Sequence, residues 1–253
     1  MRIAFDLDGV LADLHTPFVQ TAVRLFPDLD ISAAGADDEA TPAATDDPAR
    51  STSDDERDGG SDEAPPRLPN LVLTRRQDAA VWHELSRRQD FWEGLGELEP
   101  GIIARLASMA EARRWDILFI TSRPRSAGRT VQRQSQRWLE RHGFPLPSVY
   151  VVHGSRGRLA DALNLDAVID DRASNCLDVV LESRAGAVLV WRANRGPVPA
   201  RAQRLGIAVA ASVADCLDTI AKADGQDPQG FVDRLKRLFG LKTTPRGVGR
   251  AQE

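Results

Sequence analysis

A chain of 253 residues, of which 42% are hydrophobic, can bury one α/β core and a small accessory domain. No hydrophobic run reaches the length of a membrane span, and the first residues lack the basic and long hydrophobic regions of a secretory signal. Two cysteines without a CxxC motif or a histidine cluster argue against a disulfide framework and a zinc site. We therefore expect a cytoplasmic protein that makes no membrane contact.

The formal net charge of −4 is unevenly distributed along the chain. Residues 32–66 contain eleven acids and two arginines, whereas the remainder contains 26 acids and 31 bases. The acidic segment has no Val, Ile, Leu, Met or aromatic residue, so burial cannot offset its ordering entropy and we predict that it is disordered. The mildly basic remainder suits a small anionic substrate and lacks the strongly basic surface of a nucleic-acid-binding protein.

The first thirteen residues, MRIAFDLDGVLAD, place two acids directly after a short hydrophobic strand predicted over residues 3–5. Asp6 and Asp8 lie two residues apart in an extended segment, so their side chains point to the same side of the chain. Gly9 then permits a sharp turn. Because unpaired buried carboxylates are costly, this pair indicates cation binding, nucleophilic and acid–base chemistry, or both. The alternative is a solvated turn after an edge strand.

Two amphipathic helices are predicted on either side of the acidic segment. Leu14 and Phe18 belong to a helical pattern over residues 14–26, and Thr74 and Gln77 have the spacing of a capping box that opens a helix over residues 75–87. The connection between the first strand and the next core helix is too long for a loop. We therefore expect these helices to form a small cap over the site.

From about residue 100 onward, predicted strands alternate with helices. The helix after Pro124 is expected to run to His142, where Gly143 ends it, and Ser212 begins a later helix. The predicted strands cover residues 116–120, 149–152, 167–169, 187–191 and 207–209.

This alternation predicts an α/β fold with a doubly wound parallel sheet. The predicted core comprises residues 1–13 and 100–225, and the helical cap comprises residues 14–99, including the acidic insert. A last helix is expected within residues 226–240, followed by a flexible tail over residues 241–253.

Ligands of an open parallel sheet bind at the carboxyl ends of its strands, so the residues that follow each strand are candidates for one site. In chain order, the predicted strands are followed by two acids, two hydroxyls, a basic loop and two further acids. The acids suit a divalent cation, and the hydroxyls and bases suit a phosphate ester. A cation would offset the repulsion between a carboxylate and a phosphate dianion, and Mg²⁺ prefers oxygen ligands. The alternative for the second acidic pair is a helix N-cap. The candidates are Asp6, Asp8, Thr121, Ser122, Arg156, Arg158, Asp170 and Asp171.

The DLDGVL segment resembles the first motif of the haloacid dehalogenase (HAD) superfamily, whose members are mostly magnesium-dependent phosphohydrolases with a Rossmann-like core and a cap. The resemblance implies that Asp6 is the nucleophile and that Asp8 is the general acid–base, with the backbone carbonyl of Asp8 as a Mg²⁺ ligand. Asp6 and Asp171 would supply the carboxylate ligands. Asp170, a further metal-site candidate, would then orient neighbouring groups, and Thr121 would bind phosphoryl oxygens.

One position departs from the pattern of the superfamily, which places a lysine ahead of the acidic pair to contact the nucleophile and the phosphate. Here the loop carries Arg156 and Arg158 and no lysine. We choose Arg156 because it lies nearer the strand end, with Ser122 as a further phosphate-binding candidate. Arginine stays charged and binds phosphate bidentately, so the chain is expected to retain activity.

The segments ITSRP, FWEGL…EPG and VIDDR are similar to the bacterial branch of the 5'(3')-deoxyribonucleotidase family. This resemblance implies dephosphorylation of nucleoside monophosphates, with aromatic residues of the cap contacting the base. Packing within a small cap is the alternative role for these aromatic residues. The candidate substrate contacts are Phe18, Trp82, Phe91, Trp92 and Arg123.

The leading hypothesis is therefore a Mg²⁺-dependent phosphomonoesterase that acts on a small phosphorylated metabolite, with nucleotides preferred. A phosphatase of sugar phosphates or of nucleic-acid ends is the second hypothesis. The third is a catalytically silent binding module, which the missing lysine supports and the retained acids oppose. The sequence does not indicate an oligomeric state.

Overall fold

The structure, a computed structural model, describes residues 1–29 and 73–224. The predicted acidic insert, the last predicted helix and the predicted tail lie outside these ranges. Within them, no helix combines the length and the hydrophobicity that a membrane crossing requires. The strands, in chain order, are β1 (Arg2–Asp6), β2 (Ala12–Asp13), β3 (Gly96–Glu97), β4 (Asp116–Thr121), β5 (Ser148–Val151), β6 (Ala167–Asp170), β7 (Gly186–Val190) and β8 (Ala208–Ala210). The α-helices are α1 (His15–Leu25), α2 (Arg75–Ser86), α3 (Ile102–Arg113), α4 (Val131–Arg141), α5 (Arg156–Ala162), α6 (Ala173–Glu182), α7 (Ala200–Arg204) and α8 (Val213–Ala223).

Six parallel strands form the central sheet in the order β5–β4–β1–β6–β7–β8. The chain moves outward from β1 through β4 to β5, returns to β6 on the other side of β1, and moves outward again. This is the doubly wound α/β fold that the sequence predicts. The strand order reverses at β1, so the end of β1 lies where such sheets bind their ligands.

The two faces of the sheet are covered by different helices. Ile3 and Phe5 pack with α3, α4 and α8, whereas Ala4, which points the other way, packs with α5, α6 and α7. Every residue of β1 after Arg2 is buried, as expected for a central parallel strand. Helices on both faces confirm the predicted layer arrangement.

Helices α1 and α2 pack against each other on the side of the strand ends. The predicted capping box at Thr74 and Gln77 is present, with reciprocal hydrogen bonds between side chain and backbone. The rings of Phe18 and Trp82 lie 5.1 Å apart between the two helices. The chain leaves the core at β2 and returns at β3, and these two short strands pair antiparallel. The division of the chain into core and cap stays a prediction.

Helix α4 begins later than the sequence pattern suggests. The pattern extends the helix from Pro124, but residues 122–130 form a loop, and α4 starts at Val131. Thr130 ends the loop because its side chain accepts a hydrogen bond from the backbone N–H of Arg133. Gly128 has a φ of +96°, which a right-handed helix does not allow. The end of the helix agrees with the prediction, since Gly143 has a φ of +94° directly after it.

Candidate active site

The ends of three adjacent strands form the floor of the candidate site. In the sheet register Asp6 of β1 lies beside Ile120 of β4, and Phe5 lies beside Ile169 of β6. The residues that follow these strands therefore emerge at one edge of the sheet. The acids, hydroxyls and arginine brought together there are Asp6, Asp8, Thr121, Ser122, Arg156, Asp170 and Asp171.

Asp6 is buried among charged groups at the centre of this site. Burial raises its pKa well above the usual value, and the carboxylates of Asp170, Asp171 and Asp8 raise it further. The guanidinium of Arg156, whose Nη2 lies 3.4 Å from Asp6 Oδ1, acts in the opposite direction. Burial and the neighbouring acids thus disfavour the charged form of Asp6, which a bound cation would stabilise.

Arg156, and not Arg158, reaches the candidate site. Its Nη2 also donates to Ser122 Oγ at 2.8 Å, and its Nε lies 3.8 Å from Asp170 Oδ2. Arg156 Nε is buried and makes no hydrogen bond to the described residues. The side chain of Arg158 is largely exposed and pairs with Glu182 instead. The structure thus places the guanidinium of Arg156, and not that of Arg158, against Asp6, Ser122 and Asp170.

The second acidic pair has two different environments. Asp170 accepts hydrogen bonds from the backbone N–H of Arg172 and from Asn175 Nδ2, at 2.8 and 2.9 Å, so both of its oxygens are held at the start of α6. Asp171 accepts from Arg195 Nη1, which also donates to the Asp171 backbone carbonyl. Burial and the charge of Asp170 raise the pKa of Asp171 to about 6, against the opposing effect of Arg195.

The turn after β1 brings its backbone against Asp171. Gly9 has a φ of +85°, and a Cβ at this position would lie 2.2 Å from Asp171 Oδ2. Glycine is therefore required both by the backbone conformation and by the close approach. Arg192 supports the same turn by donating to the carbonyls of Gly9 and Val10.

The donor set of the site fits a hard divalent cation in its chemistry. Among the described residues, no group of three or more His, Cys, Asp or Glu side chains is arranged to hold a metal ion. The ligand set implied by the resemblance needs only two carboxylates, Asp6 and Asp171, with the backbone carbonyl of Asp8. These are all oxygen ligands, and a cation would offset both the burial of the Asp6 carboxylate and its repulsion by neighbouring acids, which together raise its pKa.

A cleft of about 460 Å³ lies between α2, the 3₁₀ turn at Phe91–Gly94 and the strand ends. Three predicted substrate contacts, Trp82, Phe91 and Trp92, line it together with Ser122 and Arg156. The cleft therefore joins an aromatic wall to the candidate phosphate-binding groups.

Two other predicted substrate contacts do not line this cleft. Phe18 is buried between the cap helices, with its ring against Trp82. Arg123 is buried under Asp8, where it binds both carboxylate oxygens. For Phe18 the structure favours the packing role that the sequence left as the alternative.

Sequence reasoning missed several residues that shape the site. Asn175 holds Asp170 and lines the cleft, Arg195 holds Asp171, and Arg192 supports the turn after β1. No motif marks these residues, because each acts through a side chain brought from a different part of the chain. The one local feature that points to them is the pair of arginines, Arg192 and Arg195, that follows β7.

Comparisons with known proteins support the fold. No protein-family model matches the sequence, and no curated protein matches it. A HAD family hydrolase from Deinococcus radiodurans R1, solved with bound phosphate and sodium, matches with a TM-score of 0.52 and 16% identity, over 87% of this chain and 95% of that chain. A hydrolase from Pseudomonas syringae matches with a TM-score of 0.47 and 14% identity, over 88% of this chain and 99% of that chain. The match to the Deinococcus protein supports a HAD-like α/β fold for this chain.

Proposed function

We propose that the chain is a HAD-type phosphomonoesterase that acts on a small phosphorylated metabolite, with nucleoside monophosphates preferred. The observation that carries this proposal is the meeting of Asp6, Asp8 and Arg156 at the ends of adjacent strands, beneath an aromatic cleft. A catalytically silent module would have no reason to bury so many acids together, because that burial is costly.

Two carboxylates divide the chemistry in this proposal. An oxygen of Asp6 attacks phosphorus, the bond to the leaving oxygen breaks, and Asp8 gives that oxygen a proton. Asp8 then removes a proton from a water molecule, which attacks the phosphorus of the aspartyl phosphate and restores Asp6. Thr121, Ser122 and Arg156 bind the phosphoryl oxygens and stabilise their charge.

Magnesium is the cofactor that we propose for this site, held by Asp6, Asp171 and the backbone carbonyl of Asp8. When bound, it would offset the repulsion between the Asp6 carboxylate and the phosphate dianion. Asp170 remains a second candidate for metal contact, although Arg172 and Asn175 already hold its oxygens.

The cleft supports a planar, compact substrate. The edges of Trp82 and Phe91 offer aromatic surface to a nucleobase, whereas Trp92 is buried behind them, and the volume of about 460 Å³ suits a molecule of nucleotide size. Sugar phosphates and phosphorylated nucleic-acid ends are the competing substrates, and sugar phosphates have no planar base to place against this aromatic wall.

A phosphatase panel with and without Mg²⁺ tests the proposal. Its members are an aryl phosphate, ribo- and deoxyribonucleoside monophosphates, and sugar phosphates. We expect Mg²⁺-dependent phosphate release with the highest kcat/KM for a nucleoside monophosphate, and its abolition by Asp6→Asn.

Arg156→Ala should lower kcat/KM by about 100-fold, since it removes a charged phosphate contact. The exposed Arg158→Ala is the matched control and should leave kcat/KM unchanged. If the wild-type protein hydrolyses none of these esters, the proposal is wrong and the chain is a catalytically silent binding module.

A further inference from the structure

Arg123 lies beneath Asp8 with its guanidinium fully engaged. Nε and Nη2 donate to both carboxylate oxygens of Asp8 at distances from 2.8 to 3.1 Å, and Nη1 donates to Ser135 Oγ at 2.9 Å. Only 1% of Arg123 is exposed. This is the bidentate fork that arginine forms with a carboxylate, held at its third nitrogen by a buried serine.

Two tryptophans lie against the same guanidinium. Arg123 Cζ is 4.8 Å from the ring centroid of Trp92 and 5.7 Å from that of Trp138. Trp92 belongs to the 3₁₀ turn that lines the cleft, and Trp138 belongs to α4. Cation–π contacts to two fixed rings restrict the orientation of the guanidinium further. Asp8 is thus attached, through Arg123, to two elements of the protein outside its own turn.

We propose that Arg123 is a positioning residue that orients the carboxyl group of Asp8 for proton transfer. The inference rests on the proposed function, which gives Asp8 the acid–base role. Asp8 is only partly buried and projects from a turn, so its carboxyl could otherwise rotate away from the leaving oxygen. The fork fixes the carboxyl plane relative to the leaving oxygen, and Thr121 Oγ1 adds a long contact of 3.4 Å to Asp8 Oδ2.

The identity of the leaving group separates this role from substrate binding. Loss of an aligned acid slows the departure of an alkoxide, which needs a proton, much more than the departure of a dinitrophenolate, which does not. A residue that binds the phosphoryl group affects both esters alike. The value of kcat/KM reports the step in which the leaving group departs, so it is the quantity to compare.

The experiment compares an alkyl phosphate, the best monoester of the panel, with dinitrophenyl phosphate. For Arg123→Lys we expect kcat/KM to fall by about 100-fold on the alkyl ester and by less than about threefold on the aryl ester, with KM changed by less than about twofold. Ser135→Ala, which removes one contact to Arg123, should shift the same ratio by a smaller factor. Exposed Arg133→Lys on α4 is the matched control and should change neither value.

A double-mutant cycle completes the test. Adding Arg123→Lys to Asp8→Asn should cause no further loss on the alkyl ester, because the two residues act as one unit. Equal losses on both esters, or a loss that persists in the Asp8→Asn background, would overturn the inference alone. If Arg123→Lys fails to fold, the ester ratio of Ser135→Ala decides, and an unchanged ratio overturns the inference. Wild-type protein that hydrolyses neither ester would overturn the proposed function and this inference with it.

Discussion

Charge at the candidate site is only partly balanced by the arginines that contact its acids. Asp8 pairs with Arg123 and Asp171 pairs with Arg195, whereas Asp6 and Asp170 share Arg156. Four acids thus face three arginines, and burial keeps water from screening the remaining repulsion. Burial first, and then the neighbouring acids, raise the pKa values of Asp6 and Asp171. The protein therefore stores electrostatic strain that a bound cation would release.

This strain predicts how the metal-free protein responds to pH. The pKa of Asp171 is about 6 in the folded protein, above its ordinary value of 3.8, so between these values the folded form binds more protons than the unfolded form. Stability therefore falls as the pH rises through this window and stays low above it. In EDTA at pH 7.5, Asp171→Asn should raise the melting temperature by about 2–4 °C and flatten the decline between pH 4 and pH 6.

The matched control for that prediction is Asp116→Asn, since the side chain of Asp116 is mostly exposed. It should leave both the melting temperature and its pH dependence unchanged. Added Mg²⁺ should stabilise the wild type more than Asp171→Asn, because the variant lacks one carboxylate ligand. An Asp171→Asn protein that is less stable than the wild type in EDTA at pH 7.5 would contradict this account of the charge.

Local sequence could reveal some of these residues and not others. Asp6, Asp8 and Gly9 are recognisable because a strand, two acids and a turn follow one another within nine positions. For Arg123, the partner of Asp8, the sequence predicts a substrate contact instead. Arg123 is 115 positions from Asp8, and their contact depends on tertiary packing. The choice of Arg156 over Arg158 could be made from its distance to the strand end, and the structure places it against Asp6.

At the scale of elements, the 3₁₀ turn that follows α2 is docked on α4 through polar contacts. Trp92 N–H donates to Gln134 Oε1 at 3.0 Å, and Trp138 Nε1 donates to the carbonyl of Leu95 at 2.7 Å. The buried carboxylate of Glu93 accepts from arginines of α4, including Arg137 at 3.1 Å. These contacts hold Trp92 between the cleft and the guanidinium of Arg123.

Gln134 is the centre of this docking and gives a stability prediction. Its side chain is fully buried, and besides Trp92 it contacts the carbonyl of Arg129 and the hydroxyl of Ser126. Gln134→Leu would leave a buried N–H and a buried carbonyl without partners, which costs about 2 kcal/mol. Urea unfolding should show this loss. Gln132→Leu on the same helix is the control, because Gln132 is exposed and water can replace it at Val149. Equal stabilities for the two variants would contradict the role given to Gln134.

The boundaries of the elements show where local patterns suffice. Thr74 and Gln77 predict the start of α2 because a capping box is formed within one turn. The predicted start of α4 is several residues too early. Contacts from the region of the 3₁₀ turn hold residues 122–130 in a loop, and one of them is the hydrogen bond from the backbone N–H of Arg129 to Asp90 Oδ1. Such contacts join distant segments, and the helical pattern alone does not contain them.

At the scale of the whole molecule, the strand order decides whether the dispersed acids can act together. The alternation of strands and helices predicts a parallel sheet, and the rule for such sheets predicts a site at its carboxyl edge. The order itself follows from crossovers that the pattern does not specify. With β1 between β4 and β6, Asp6 lies at the same edge of the sheet as Thr121 and Asp170, which end the two neighbouring strands.

The most direct measurement is to look for the phosphoryl group on Asp6 itself. Wild-type protein is mixed with a phosphate monoester and Mg²⁺, quenched in acid within milliseconds and digested for mass spectrometry. We predict that the N-terminal peptide gains the mass of one phosphoryl group at Asp6, and that Asp6→Asn shows no such gain. A phosphoryl group on another residue, or rapid turnover with none on the protein, would contradict the account.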